Sequence, residues 1–361
     1  MSRADAYRLT LDAPAKVNLA LSVGPPTADG YHPLESVFCA LDLCDTLCFE
    51  MPEADARSAD ASPDAARTTL GTPVAISLAG PCAPGVDVPV ADNLVFRAVD
   101  AFEEALGRPV VDAGRTLSVS IDKHIPAGGG LGGGSSDAAC ALRACAQMTA
   151  SGEVDLDVVA RSIGADVAFF LHGGTALMTG RGDVLSRRLP TFPLPLVLMG
   201  DAGANPTGEV YAAYDELSIR GGSAPQEAAY AGSASQEAAC GGSASQEAAC
   251  GGSASQEAAC GVGTRSSCDP LALADALDAG ESDPRRLASL CGNDLGPAAM
   301  SVNGSLASRI RRAADDPDVL AALVTGSGST TYALCADAAR AAAFAERACA
   351  WSTWTRVATP I

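Results

Sequence analysis

The stretch that decides the fold is Ile121-Asp-Lys-His-Ile-Pro-Ala-Gly-Gly-Gly-Leu-Gly-Gly-Gly-Ser-Ser-Asp-Ala-Ala139. Six glycines fill Gly128–Gly134, interrupted only by Leu131. Upstream, Leu117, Val119 and Ile121 alternate with Ser118, Ser120 and Asp122, which predicts a strand with one apolar face. Downstream, an alanine-rich run predicts a helix from Ser135 to about Met148, with Ser135, Ser136 and Asp137 suited to its cap and first turn. Glycine reaches backbone angles closed to other residues and has no side chain to hold a ligand away. A glycine-rich loop feeding a helix start turns several N–H groups toward one point, where the positive end of the helix dipole adds to them. The physical product is a phosphate cradle.

A flexible linker would not sit tightly between an alternating strand and a helix. The Walker pattern requires lysine before its Ser/Thr, and Gly134 is followed directly by Ser135. A dinucleotide fingerprint can be laid on Gly128, Gly130 and Gly133, with Glu153 or Asp155 as the acidic residue some twenty positions on, and stays a competitor at this point.

With 361 residues the chain is long enough for two domains, each with a core. Hydrophobic residues make up 48% and charged residues 19%, in keeping with a globular protein. A formal net charge of −19 argues against a sequence-independent nucleic-acid binder, which needs a basic face. It leaves a nucleotide ligand open, because a cradle works through backbone N–H groups. The first ten residues have no apolar central region and no stretch approaches about eighteen apolar residues, so neither a signal peptide nor a membrane span is expected, and the chain reads as cytoplasmic. Thirteen cysteines lack any Cys-x-x-Cys spacing and accompany only three histidines; they read as small apolar residues of a reducing compartment, and no metal site is assigned.

Tyr7–Val23 reads as two short strands, with Lys16 and Asn18 facing the same way in Ala13-Pro-Ala-Lys-Val-Asn-Leu19. Tyr31-His32 follows a Pro/Gly/Asp turn and offers a stacking face and a hydrogen-bonding edge suited to a base. Asp92 is the expected cap of a helix running to about Leu106. Asp166 sits before Val167-Ala-Phe-Phe170, so its carboxylate should be partly desolvated. Desolvation raises a carboxylate's proton affinity and a nearby lysine opposes this, a balance that suits a general base, although spacing alone also allows a plain helix cap. Residues 51–69 read as an expanded loop poor in apolar pattern. Residues 217–265 read as a disordered insertion built on four decapeptide blocks, Gly221–Cys260, close to Gly-Gly-Ser-Ala-Ser-Gln-Glu-Ala-Ala-Cys.

The segment Pro126–Ala139 resembles the phosphate loop of the GHMP kinase superfamily. Within it, the segment is most similar to the branch that phosphorylates a cytidine-diphosphate sugar alcohol, 4-diphosphocytidyl-2-C-methyl-D-erythritol, in the non-mevalonate isoprenoid route. Further segments fall in the family's order: Pro14–Leu19, Asp29–His32, Gly164–Phe170, Asn205–Tyr211, Gly292–Leu295 and Val324–Cys335. One departure stands out, Ala168 where the family usually has proline. The resemblance implies an α+β, two-domain fold with the active site in the interdomain cleft: residues 1–182 as the N-terminal, ATP-binding domain and 183–361 as the C-terminal domain. It implies Lys16 and Asp166 as the catalytic pair. For ATP, with Mg²⁺, it implies Asn93, Lys123 and the run Pro126, Ala127, Gly128, Gly129, Gly130, Leu131, Gly132, Gly133, Gly134, Ser135 and Ser136. For the acceptor it implies Asn18, Tyr31, His32, Thr207 and Tyr211, with Tyr211 closing over the cytosine opposite Tyr31. The expected partners are these two small molecules, with no nucleic acid or membrane, in a monomer or weak homodimer. A nucleotide-binding module of the same fold without catalysis, and a sister kinase for another small alcohol, are the nearest alternatives.

Overall fold

The computed structural model describes residues 7–51, 65–84, 86, 88–112, 114–150, 152–201, 203, 205–219 and 268–361. The repeat blocks, with Cys240, Cys250 and Cys260, lie outside the described residues, as do 52–64 of the expected loop.

The chain opens with β1 (Tyr7–Val23) and β2 (Leu34–Met51), a long antiparallel pair. The two short strands expected over Tyr7–Val23 are one strand whose register against β2 shifts between Pro14 and Lys16 and again between Asn18 and Ala20. Proline has no N–H to give to a ladder, and a bulge bends a strand and re-aims its side chains. Both bulges flank the two polar residues singled out in this strand. β3 (Ala66–Arg67) and β4 (Pro73–Ala79) follow, then helix α1 (Leu94–Leu106) and β5 (Leu117–Asp122). Asn93, not Asp92, caps α1: its side chain accepts from the Val95 N–H at 2.9 Å, a contact worth about 1 kcal/mol.

The glycine-rich loop leads into α2 (Gly133–Thr149), which begins two residues before the serines expected to start it. Then come α3 (Leu156–Ile163), capped by Asp155, and α4 (Ala165–His172). β6 (Thr175–Thr179), β7 (Val184–Leu189), β8 (Leu196–Gly200) and α5 (Thr207–Ile219) complete the first part. Beyond the undescribed stretch lie α6 (Pro270–Asp278), α7 (Pro284–Leu290), β9 (Gly292–Asn293), α8 (Gly296–Val302), α9 (Gly304–Ala314), β10 (Val319–Val324), β11 (Thr331–Cys335), α10 (Ala338–Ala348) and β12 (Trp354–Ala358).

Two sheets result. The larger runs β3-β4-β5-β2-β1-β9, with β6 on β2 and β7 on β6; the smaller runs β10-β11-β8-β12. One core packs α1, α2, α3 and α4 on the larger sheet through Phe49, Phe102, Leu117, Val119, Ile121, Phe169 and Phe170. A second lies between the sheets, where Val17, Leu19 and Leu41 meet Leu196, Leu198, Leu323 and Tyr332. A third packs α5, α8, α9 and α10 against the other face of the smaller sheet through Val197, Met199, Val210, Leu306, Ala333 and Phe344. The residues of β8 thus alternate between two cores, which is why Leu194–Met199 reads as an unbroken apolar run. Strand β1 contributes to all three cores: Ala13 to the first, Val17 and Leu19 to the second, Leu21 and Val23 to the third. Its polar residues are therefore held where helix layer, sheet and second sheet meet.

Candidate active site

A cleft of about 650 Å³ opens along the glycine-rich loop. Pro126, Ala127, the six glycines, Leu131 and Ser135 line it, together with Lys16, Asn18, Asn93, Lys123, Asp166, Thr207 and Tyr211. Tyr31, His32 and Ser136 are outside this lining.

The loop holds its shape through backbone. Lys16 N–H donates to the Leu131 carbonyl at 2.9 Å, and Thr330 N–H to the Gly129 carbonyl at 3.1 Å. Gly130 has φ +79° and a side chain there would meet the Thr325 carbonyl oxygen at 2.7 Å. Gly132 has φ +74° and a side chain there would meet the Phe170 ring at 2.8 Å. These glycines therefore serve the packing of the loop against α4 and the β10–β11 turn, beyond leaving room for a ligand. Gly132 is also the N-cap of α2, and among the described residues no side chain caps that end. The first N–H groups of a helix have no partner within it, so these are left for an anion, as a phosphate cradle requires.

Lys16 and Asp166 meet beside the loop: Nζ lies 3.4 Å from Oδ2, the lysine almost wholly buried and the aspartate 32% exposed. Lys16 Nζ also donates to Asn18 Oδ1 at 2.9 Å and sits 4.8 Å over the Phe38 ring. Asn18 in turn donates from Nδ2 to Ser36 Oγ at 3.0 Å, and its backbone N–H donates to Thr325 Oγ1 at 3.1 Å. The lysine's direction is thus fixed by a chain of partners from two strands and a turn. Asp166 stands in the first turn of α4, whose N-cap is Gly164. Ala168 continues that helix, fully packed, so the turn forms without the proline.

Lys123 is held between two carboxylates. Its Nζ donates to Asp137 Oδ2 at 2.7 Å and to Asp45 Oδ2. Asp45 Oδ1 accepts from the N–H groups of His124 and Ile125 at 2.6 and 2.8 Å, whereas Asp137 Oδ1 is buried with no hydrogen-bond partner among the described residues. Burial, followed by the opposing pull of Lys123 and the repulsion of Asp45, leaves the Asp137 carboxyl raised to about 7. Burial works against the charge of Lys123, but the two carboxylates outweigh it and raise its pKa. Neither carboxylate's bond to Lys123 was expected. Asp45 carries a faint signal, an acid on the alternation that otherwise holds Leu41, Leu43, Leu47 and Phe49 in β2; Asp137 reads in the sequence only as part of a helix start.

At the other end, the His32 ring is used within the protein. Nδ1 lies 2.8 Å from the Gly24 carbonyl oxygen and Nε2 lies 3.3 Å from Asp215 Oδ1. Its ring stands 5.3 Å from that of Tyr211 and 5.9 Å from that of Tyr214. Burial, with Asp166 and Tyr214 adding, pushes the Tyr211 hydroxyl up to about 12, so it stays a proton donor at neutral pH. Thr207 Oγ1 is 3.1 Å from Ser327 Oγ, which ties the start of α5 to the β10–β11 turn. Tyr31 is half exposed and lies under the guanidinium of Arg181. Asn293 braces the β10–β11 turn by donating to the carbonyls of Val324 and Gly326, both at 2.8 Å.

Residues 93–174 match the GHMP kinases N terminal domain and residues 273–352 the GHMP kinases C terminal domain. A 4-diphosphocytidyl-2-C-methyl-D-erythritol kinase of Caulobacter sp. (strain K31) is 33% identical over 94% of this chain and 93% of its own length. One of Nocardia farcinica (strain IFM 10152) is 35% identical over 92% of this chain and 87% of its own. A crystal structure of 4-(cytidine 5'-diphospho)-2C-methyl-D-erythritol kinase covers 98% of this chain and 99% of its own with TM-score 0.61 and 28% identity. The packed glycine loop, the uncapped helix start and the chain-long likeness agree: this chain belongs to the 4-diphosphocytidyl-2-C-methyl-D-erythritol kinase family of the GHMP kinases, small-molecule kinases of α+β fold that draw on ATP.

Proposed function

We propose that the chain transfers the terminal phosphoryl group of ATP to the 2-hydroxyl of 4-diphosphocytidyl-2-C-methyl-D-erythritol, giving the 2-phosphate and ADP. The observation that carries this reading is the Lys16–Asp166 pair at 3.4 Å on the edge of an uncapped, glycine-built phosphate cradle. Asp166 takes the proton of the acceptor hydroxyl, and Lys16, aimed by Asn18, orients that oxygen and balances the charge that develops on it. Positioning and electrostatics carry most of a phosphoryl transfer. The phosphates lie against Gly128–Ser135, with Asn93 and Lys123 on the nucleotide side. Asn18, Thr207, Tyr211 and the Tyr31–His32 segment lie on the acceptor side, His32 acting by fixing α5 rather than by offering a free ring edge.

Among the described residues no group of three or more His, Cys, Asp or Glu side chains could hold a metal ion. Mg²⁺ would arrive on the nucleotide's phosphates and would supply charge neutralisation there. We keep 1–182 and 183–361 as the two domains, with β7 and β9 reaching into the larger sheet as added strands. Among the described residues no helix is long and apolar enough to cross a membrane. The proposed setting is the cytoplasm, for a monomer or weak homodimer acting on small molecules alone.

The test is phosphorus NMR on the purified protein with Mg-ATP and the cytidine-diphosphate alcohol. A new phosphomonoester with matching ADP, absent when the cytidine is removed from the acceptor, supports the reading. ADP without a new ester means the acceptor is wrong. ATP binding without turnover favours a nucleotide-binding module.

A further inference from the structure

We propose that Arg143 is a positioning residue for the phosphoryl transfer: from the helix that forms the phosphate cradle, its guanidinium grips the carboxyl end of α4 and so sets where Asp166 stands relative to the phosphates. This rests on the reaction and the role of Asp166 proposed above. Arg143 is the only charged residue in Ala138–Ala150. Its Nη2 donates to the Phe170 carbonyl at 2.6 Å and to the Leu171 carbonyl at 2.9 Å. The last four carbonyls of a helix have no partner within it. In α4 the Phe169 carbonyl accepts from the Gly173 N–H at 2.8 Å, and the His172 carbonyl from Arg188 Nη1 at 3.3 Å. The two between them are met by Arg143. A carbonyl shielded from water is costly to leave without a donor, and a cation is favoured at the carboxyl end of a helix. The guanidinium and the helix end therefore hold each other.

The consequence follows from where Arg143 stands. Helix α2 starts in the glycine-rich loop, and Arg143 comes ten residues after Gly133, about 15 Å along the axis. Helix α4 has only eight residues, a length of about 12 Å, and carries Asp166 in its first turn. A shift of its carboxyl end is passed to the carboxylate. A second contact joins the same elements, since a side chain at Gly132 would meet the Phe170 ring at 2.8 Å. Asp166 is thus tied to the cradle twice, by packing at Gly132 and by hydrogen bonds at Arg143. Lys16 is held separately, by Asn18 and the Phe38 ring. Its 3.4 Å approach to Asp166 depends on α4 keeping its place. Arg188 supplies a control. It holds the same end of α4, and its Nη2 lies 2.9 Å from His172 Nδ1, but it comes from β7 and not from the cradle helix.

The experiment measures kcat and both KM values at a temperature where circular dichroism shows every variant folded. The variants are Arg143→Met, Arg143→Lys, Arg188→Ala, Asp166→Asn, and Asp166→Asn combined with Arg143→Met. Arg143→Met should lower kcat about tenfold to a hundredfold, as a displaced catalytic group does, and leave both KM values unchanged. Arg143→Lys should recover part of the loss, because an ammonium can donate to these carbonyls but lacks the rigid fork. Arg188→Ala should leave kcat unchanged. On the Asp166→Asn background Arg143→Met should cost less than about twofold, because the group it positions is gone. A wild-type kcat in Arg143→Met would overturn the proposal. So would an equal fall in Arg188→Ala, which would mean a general effect of the helix end. An undiminished fall on the Asp166→Asn background would overturn it too, since the effect would then bypass Asp166. If Arg143→Met does not fold, the lysine variant on the two backgrounds decides by the same comparison. Failure of the proposed reaction has a separate mark: wild type forms no phosphomonoester, and the role of Arg143 falls with it. Failure of the clamp alone leaves an active wild type and an equally active Arg143→Met.

Discussion

At the phosphate end of the cleft the chain closes on itself through backbone. Leu131 and Gly129 carbonyls accept from Lys16 and Thr330, and Gly130 and Gly132 leave no room for a side chain. At the Tyr31 end the surfaces are side chains, half exposed, from loops far apart in sequence, joined by an ion pair and a stacked guanidinium. The difference suits the two tasks proposed above for these ends. Phosphates are alike in every ATP and are met by a rigid set of N–H groups, whereas a base is distinguished by faces and edges that side chains provide. It follows that damage at the phosphate end should be large and general, and damage at the base end smaller and confined to the acceptor.

The largest effect is expected at the junction of the two ends. Asp166→Asn should lower kcat at least about a hundredfold, the low end for loss of a general base, with both KM values little changed. Turnover at the wild-type rate would remove Asp166 from the proton transfer. Next, Gly132→Ala places a methyl group on the Phe170 ring at a positive φ. A strain of about 1–3 kcal/mol should appear as a lower Tm together with a KM for ATP raised roughly tenfold. A variant that melts and binds ATP like wild type would mean that the loop end is not rigid, and the contrast drawn here would fail.

Tyr31→Ala belongs to the gentler end. It should raise the acceptor KM by about threefold to tenfold and leave the KM for ATP alone. A change in ATP affinity instead would show the two ends to be reversed. The smallest effect concerns the carboxyl beneath the loop. Asp137 has its pKa raised from 3.8 to about 7, so its neutral form favours folding. That contribution is fully present below about pH 4 and is lost as pH rises through about 7. The stability of Asp137→Asn relative to wild type should therefore increase across this window, as read from paired urea melts. Parallel profiles would show that Lys123 holds Asp137 ionised throughout.

The strand, loop and helix around Gly128–Gly134 were legible because each depends on neighbours in sequence: alternation for β5, glycine for the turn, an alanine-rich run for α2. Lys16 and Asp166 were legible only with the family likeness at hand, since a strand lysine and a first-turn aspartate each have ordinary explanations. The same local logic placed the α1 cap one residue early, because Asp92 and Asn93 are equally good caps and the preceding short turn of 3₁₀ helix, Val90–Asp92, decided between them. It also divided β1 in two, because bulges interrupt an alternation without ending the strand.

By itself, then, the sequence determined the glycine-rich loop between strand and helix and most elements, since periodicity, caps and turn residues act over a few positions. Tertiary structure alone decided that Lys16 Nζ lies 3.4 Å from Asp166, that Asp45 and Asp137 share Lys123, and that Arg181 covers Tyr31. Each of these joins residues from different elements, at least 14 positions apart and up to 150, and only the packing of helix layer, large sheet and small sheet brings them within reach.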